Sequence, residues 1–280
     1  MNILVLSNGH GEDVVGSRII RELSKDNNSN KIIIVPLVGS GRPYKRLKSK
    51  NIKIIKASKQ MPSGGFLFLD WKWIHADIMS GLIQQIARQI QITVKLSRRS
   101  SLIVCVGDLY PLLLTYITGK RFMYINTKKS SQMFNSQRTL RSILPKVRGT
   151  NWNFLELYIV KSRNCKVICT RDDITKTGLA RIGVNTVAAN PMLSGFYCPV
   201  KKPFQNQKIP LIMCLPGSRA PELEANFAKL LEIVSNCSKK LGKLILFIPV
   251  TNSKAKFKIQ EIIESFNLDD FKVVDNINNV

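Results

Sequence analysis

Two loop motifs and one isolated carboxylate hold the residues of this chain best suited to chemistry. The first motif is Ser7-Asn8-Gly9-His10-Gly11-Glu12-Asp13, directly after the apolar run Ile3-Leu4-Val5-Leu6. Gly9 and Gly11 let the backbone turn tightly. Its amides and the N-terminus of a following helix can then hold an anionic or hydroxyl-rich ligand. Glu12 and Asp13 suit the positive end of that helix, with Asp13 as its N-cap. Capping does not account for His10. A histidine between two glycines on a strand-end loop has no core to satisfy, which makes it a candidate substrate contact.

The second motif is Leu215-Pro216-Gly217-Ser218-Arg219-Ala220-Pro221-Glu222, directly after Leu211-Ile212-Met213-Cys214. Gly217 permits close backbone approach, Ser218 offers a hydroxyl, and Arg219 supplies a bidentate fork for a diphosphate. A well-capped helix after a strand would use the same glycine and serine, with Pro221 and Glu222 in its first turn. Only the arginine asks for more. The Gly-Lys-Ser/Thr ending of a Walker loop is absent.

Asp108 follows Leu102-Ile103-Val104-Cys105-Val106-Gly107, at the carboxyl end of a third apolar run. It is the one acidic residue between Asp77 and Glu156, among twelve lysines and arginines. Two roles fit it: general base or substrate orienter, and N-cap of a helix beginning near Leu109–Pro111.

These loops need strands to present them. Short apolar, β-branched runs occur at Asn2–Ser7, Lys31–Leu37, Ile52–Ala57, Leu102–Val106, Phe122–Ile125, Lys166–Thr170 and Thr186–Ala188. Helical patterns fill several gaps, including Asp13–Ser24, Asp70–Leu96 and Asp172–Ile182. Such alternation predicts a parallel sheet with helices on both faces. Prolines 191, 199, 203 and 210 then interrupt a polar, basic stretch, which reads as a linker. A second β-α-β-α-β series follows: Leu211–Leu215, a helix to about Lys240, Lys243–Pro249, a helix near Lys254–Phe266, and Phe271–Val274. The expected division is an N-terminal domain at 1–189, a linker at 190–209 and a partial second domain at 210–280.

With 280 residues and 44% hydrophobic content, a packed core is expected and global disorder is excluded. The formal net charge of +25 predicts attraction to anionic partners but says nothing about fold. Aromatics are not interleaved with the basic runs, and no nucleic-acid-binding motif is present, so no specific nucleic acid is expected. The six cysteines show no zinc-ligand spacing and read as reduced thiols of a cytoplasmic protein. No run reaches the ~20 apolar residues of a membrane span. Gly64-Gly65 precedes Phe66-Leu67-Phe68-Leu69-Asp70-Trp71-Lys72-Trp73-Ile74. That segment can be core, or on so basic a protein an interfacial anchor for an anionic membrane.

Taken in order, the Ser7–Asp13 motif, Gly64-Gly65-Phe66, Val106-Gly107-Asp108, the Asn190-Pro191-Met192 turn and Leu215–Glu222 resemble the lipid-A-disaccharide synthase-related proteins of cyanobacteria. The resemblance implies a GT-B glycosyltransferase fold, two Rossmann-like domains with the active site between them. It implies transfer of a hexosyl group from a UDP-sugar to a lipid-linked or amphiphilic sugar acceptor, with inversion and with no metal or cofactor. By the same resemblance, Asp108 is the catalytic base, and Gly9, His10, Gly11 and Glu12 line the acceptor side. Gly217, Ser218 and Arg219 face the donor diphosphate. Phe66, Leu67, Phe68, Trp71 and Trp73 touch the membrane, which would make the protein cytoplasmic and peripheral. Two departures stand out. Ser194 occupies a position where the family pattern has aspartate. A GT-B nucleotide domain also continues past the third strand, so the second domain is expected to be truncated, or completed by another polypeptide such as a second copy. The alternative function is therefore a catalytically incomplete remnant that only binds.

Overall fold

The computed structural model describes residues 1–26, 30–38, 41–47, 49–59, 61–62, 71–131, 152–191, 209–216, 220–249, 253–266 and 271–274. The chain forms two compact units, Met1–Tyr197 and Cys198–Val280.

Seven parallel strands make the sheet of the first unit: β1 (Asn2–Ser7), β2 (Lys31–Pro36), β3 (Ile52–Ile54), β4 (Leu102–Gly107), β5 (Phe122–Asn126), β6 (Cys165–Thr170) and β7 (Thr186–Ala188). Their order is β3-β2-β1-β4-β5-β6-β7. The chain builds outward from β1 to one side, then returns to β4 and builds to the other. The loops after β1 and β4 therefore diverge at the switch point, where open α/β sheets place their ligands.

Alternation along the strands fills both faces. Leu4, Leu6, Ile103, Cys105, Phe122 and Tyr124 pack in one core. Ile3, Val5, Val104, Val106 and Ile125 pack in the other. The helices α1 (His10–Asp26), α2 (Arg42–Lys45), α3 (Trp71–Met79), α4 (Leu82–Ser97), α5 (Leu109–Tyr116), α6 (Phe154–Val160) and α7 (Asp173–Ala180) occur between the strands. Helix α1 closes the second core with Val15 and Ile20, and α5 closes the first with Leu112 and Leu114.

The pattern at Asp70–Leu96 resolves into two helices rather than one. Gly81 sits at φ 94° as the residue before α4, and the amides of Ser80 and Gly81 close the last turn of α3 onto Ala76 and Ile78. A left-handed residue cannot continue a right-handed helix, so the chain turns there.

Buried Tyr44 of α2 lies over Gly16 of α1. A methyl group at Gly16 would stand 2.1 Å from the Tyr44 Oη and 3.0 Å from its Cζ. Gly16→Ala is expected to destabilise the protein by about 1–3 kcal/mol through overpacking. Tyr44→Phe in the same chain should return part of that loss. Thermal melts of both single variants and the double variant check this, and a neutral Gly16→Ala would refute the close packing.

In the second unit, β8 (Leu211–Met213), β9 (Leu244–Phe247) and β10 (Phe271–Val274) pair in parallel in the order β10-β9-β8. Helices α8 (Ala220–Leu241) and α9 (Ser253–Glu264) are the crossovers. Leu223, Phe227 and Leu231 of α8 and Ile259 of α9 pack on Leu244 and Leu246 of β9.

Candidate active site at the carboxyl ends of the strands

Register brings the site residues to one level. Ser7 lies opposite Val106, and Gly107 lies opposite Asn126. Beyond these positions the chain leaves the sheet in three adjacent connections, carrying Asn8 and Gly9 into the first turn of α1 with Glu12, Asp108, and Thr127 to Lys129.

Asp108 is the meeting point. Its Oδ1 accepts a 2.6 Å hydrogen bond from the Asn8 Nδ2, one hundred residues away. The same oxygen accepts from the Tyr110 amide at 3.2 Å, which makes Asp108 the N-cap of α5. The Lys128 ammonium donates to Oδ2 at 2.5 Å. Asp108 is thus both the cap and a partly exposed carboxylate at the switch point. The two roles are compatible because they use different oxygens.

Lys128 is placed by its neighbours. The Asn126 side chain donates to the Lys129 carbonyl at 2.7 Å and accepts from the Lys129 amide at 3.0 Å. That Asx-type turn folds the chain back directly after β5. Lys129 then pairs with the carboxylate of Glu156, which is 1% exposed, and stands 5.6 Å over the Trp152 ring. Lys128 and Lys129 are both paired with carboxylates.

The first motif is helical sooner than its glycines predict. His10, Gly11 and Glu12 form the first turn of α1 rather than a loop. Gly9 turns the chain into it at φ 152°, where an added Cβ would meet the Glu12 carboxylate at 2.5 Å. His10 is exposed at the helix start, while Glu12 is buried and its Oε1 accepts a hydrogen bond from the Thr127 hydroxyl at 3.2 Å. Asp13 is not an N-cap. It is fully buried, accepts the Ser7 hydroxyl at 2.6 Å and the Gly41 amide at 3.3 Å, and so ties the loops after β1 and β2 together.

Burial pushes the Asp13 carboxyl up from 3.8 to about 6, with the neighbouring Glu12 adding to the rise and the bonds from Ser7 and Gly41 opposing it. A raised carboxyl binds its proton more tightly in the folded state than in the unfolded state. Its contribution is therefore most favourable below about pH 4 and is lost as pH rises to about 6. The difference in affinity corresponds to about 3 kcal/mol. Unfolding wild type and Asp13→Asn in urea between pH 4 and pH 7 should show the variant gaining on wild type as pH rises. A gap independent of pH would contradict the assignment.

Gly217, Ser218 and Arg219 lie outside the described residues, as do Phe66, Leu67 and Phe68; Trp71 and Trp73 fall in α3. Around the turn between α3 and α4, Ile78, Met79 and Ile83 are exposed. Among the described residues, no helix is long and apolar enough to cross a membrane. Within the same set, no group of three His, Cys, Asp or Glu is placed to hold a metal ion. Sequence reasoning did not single out Asn8 or Thr127 as partners, nor Lys128 as the counter-ion of Asp108. Asn126, directly after an apolar run, was the available signal for the turn that places Lys128.

A seven-stranded parallel sheet with this strand order, followed by a second parallel unit, is a GT-B-like fold of Rossmann-like units. The sequence matches no protein-family model and no curated protein. Solved structures are similar in fold. A Listeria monocytogenes protein assigned as a UDP-N-acetylglucosamine 2-epimerase aligns with TM-score 0.60 at 11% identity, over 99% of this chain and 69% of its own. The S. aureus protein MnaA with UDP aligns with TM-score 0.58 at 10% identity, over 100% of this chain and 69% of its own. A UDP-glucose:anthocyanidin 3-O-glucosyltransferase in complex with UDP aligns with TM-score 0.52 at 11% identity, over 98% and 71%.

Proposed function

We propose that this chain is a membrane-peripheral glycosyltransferase of the lipid-A-disaccharide synthase type. It moves a hexosyl group from a UDP-sugar to a lipid-linked sugar acceptor, with inversion. The observation that carries this reading is Asp108, a partly exposed carboxylate held by Asn8 and Lys128 at the switch point of the sheet. The fold likeness to proteins solved with UDP supports the donor class.

In this mechanism the acceptor hydroxyl gives its proton to Asp108 as its oxygen attacks the anomeric carbon of the donor. The bond from that carbon to the diphosphate oxygen breaks, and its electron pair leaves with UDP. A positioned carboxylate of this kind contributes about 10²–10⁴-fold. Residues 1–189 take the acceptor, with His10 at the helix start near the reacting hydroxyl. Residues 210–280 take the nucleotide, with Gly217, Ser218 and Arg219 on the diphosphate. Phe66, Leu67, Phe68, Trp71 and Trp73 reach the cytoplasmic face of the membrane, and exposed Ile78, Met79 and Ile83 support an apolar contact in that region.

The test is transfer by the full chain from sugar-labelled UDP-N-acetylglucosamine or UDP-glucose to a polar-lipid extract in detergent micelles. Label moving into the butanol phase is expected. Label remaining wholly on the nucleotide, with both donors, would count against transfer to lipid.

A further inference from the structure

The two oxygens of Asp108 are held by very different partners. Oδ1 accepts from Asn8 Nδ2 at 2.6 Å and from the Tyr110 amide at 3.2 Å. Both donors are fixed. Asn8 is 6% exposed, and its Cβ packs against Gly107, where an added Cβ would approach it to 3.0 Å. The Tyr110 amide belongs to the first turn of α5. Oδ2, by contrast, meets the tip of a long lysine side chain that is 38% exposed. A lysine stem on the surface changes rotamer readily, whereas a buried asparagine does not.

We infer that Asn8 is a positioning residue that assigns different tasks to the two oxygens: Oδ1 orients the carboxylate, and Oδ2 takes the proton of the acceptor hydroxyl once Lys128 swings aside. This rests on the reading of Asp108 as the base. Oδ1 already accepts two hydrogen bonds from groups that cannot move away, so a third donor would have to displace part of the fold. At Oδ2 the incoming hydroxyl displaces a partly exposed ammonium. Among the described residues, ionisable groups close to this point include Glu12 from α1, with its Oε1 accepting from Thr127, Tyr110 from α5, its hydroxyl donating to Gln89, Cys105 from β4, and Tyr124 from β5 through its bond to the Gly107 carbonyl. None of these is hydrogen-bonded to Oδ2.

A double-mutant cycle on turnover tests this, with labelled UDP-sugar and micellar polar lipid as probes. Asn8→Ala should lower kcat about 10- to 100-fold, the size of effect that follows from misplacing a reacting group by about 1 Å. The KM for the UDP-sugar should stay within about threefold. In an Asp108→Asn background, Asn8→Ala should lower kcat no further, because residue 8 acts only through the carboxylate. An equal loss in both backgrounds, or no loss in either, would overturn the inference. Retention of full turnover by Asp108→Asn alone would instead remove the base reading beneath it. Should Asn8→Ala fail to fold, nitrogen-15 NMR on the unaltered residue 8 decides. The Asn8 side-chain amide proton bonded to Asp108 should move upfield in Asp108→Ala, and an unmoved signal overturns the inference.

Discussion

Asp108→Asn is expected to give a folded protein whose rate of sugar transfer is about 10²–10⁴-fold lower. Asparagine keeps the shape of the side chain and an oxygen that accepts from the Tyr110 amide. The cap of α5 therefore survives and the loss can be assigned to chemistry. Alanine would confuse the two effects, since removing an aspartate cap costs about 1 kcal/mol by itself. The substitution also removes the negative charge that faces Lys128, so Lys128 should become more mobile without unfolding its loop, which the Asn126 turn holds independently. Steady-state transfer rates together with urea unfolding check this. Unaltered transfer in a well-folded variant would remove Asp108 from the mechanism.

Lys129→Met should be the most destabilising single change considered, at about 3–5 kcal/mol. Glu156 is 1% exposed, and one of its oxygens accepts both the Lys129 ammonium and the Asn153 amide at 3.0 Å. Without the lysine, a buried carboxylate is left with a single backbone donor. The capping box that starts α6, in which the Asn153 side chain also accepts from the Glu156 amide at 2.8 Å, would then have to hold an uncompensated charge. Adding Glu156→Gln should recover much of the loss, because the buried charge disappears while a hydrogen-bonding group of the same shape remains. Urea unfolding of the single and double variants distinguishes this from a surface ion pair, which would show less than about 1 kcal/mol.

Much of the fold was legible because parallel strands buried on both faces are continuous apolar runs. The observed β1, β7 and β10 have the bounds read from Asn2–Ser7, Thr186–Ala188 and Phe271–Val274. Helix α6 has only a short apolar run to mark it, although Asn153 followed three residues later by Glu156 is the capping signature of its start. The break at Gly81 was hidden because the apolar spacing continues through it. Asp108 was legible from its place after an apolar run and its isolation among basic residues. Its partners were not. Asn8 and Lys128 come from other strand ends, 100 and 20 residues away from Asp108 respectively, and the sheet register brings them together. Asp13 departs from its expected N-cap role for a related reason. Its local context favours an N-cap, but the partner that buries it is the Gly41 amide, twenty-eight residues on.

Calorimetric titration of the full chain with UDP tests the proposed handling of a UDP-sugar most directly. Saturable binding that Arg219→Ala abolishes while the protein remains folded is the expected result. A folded protein that takes up no UDP, or one whose binding is indifferent to Arg219, would contradict it.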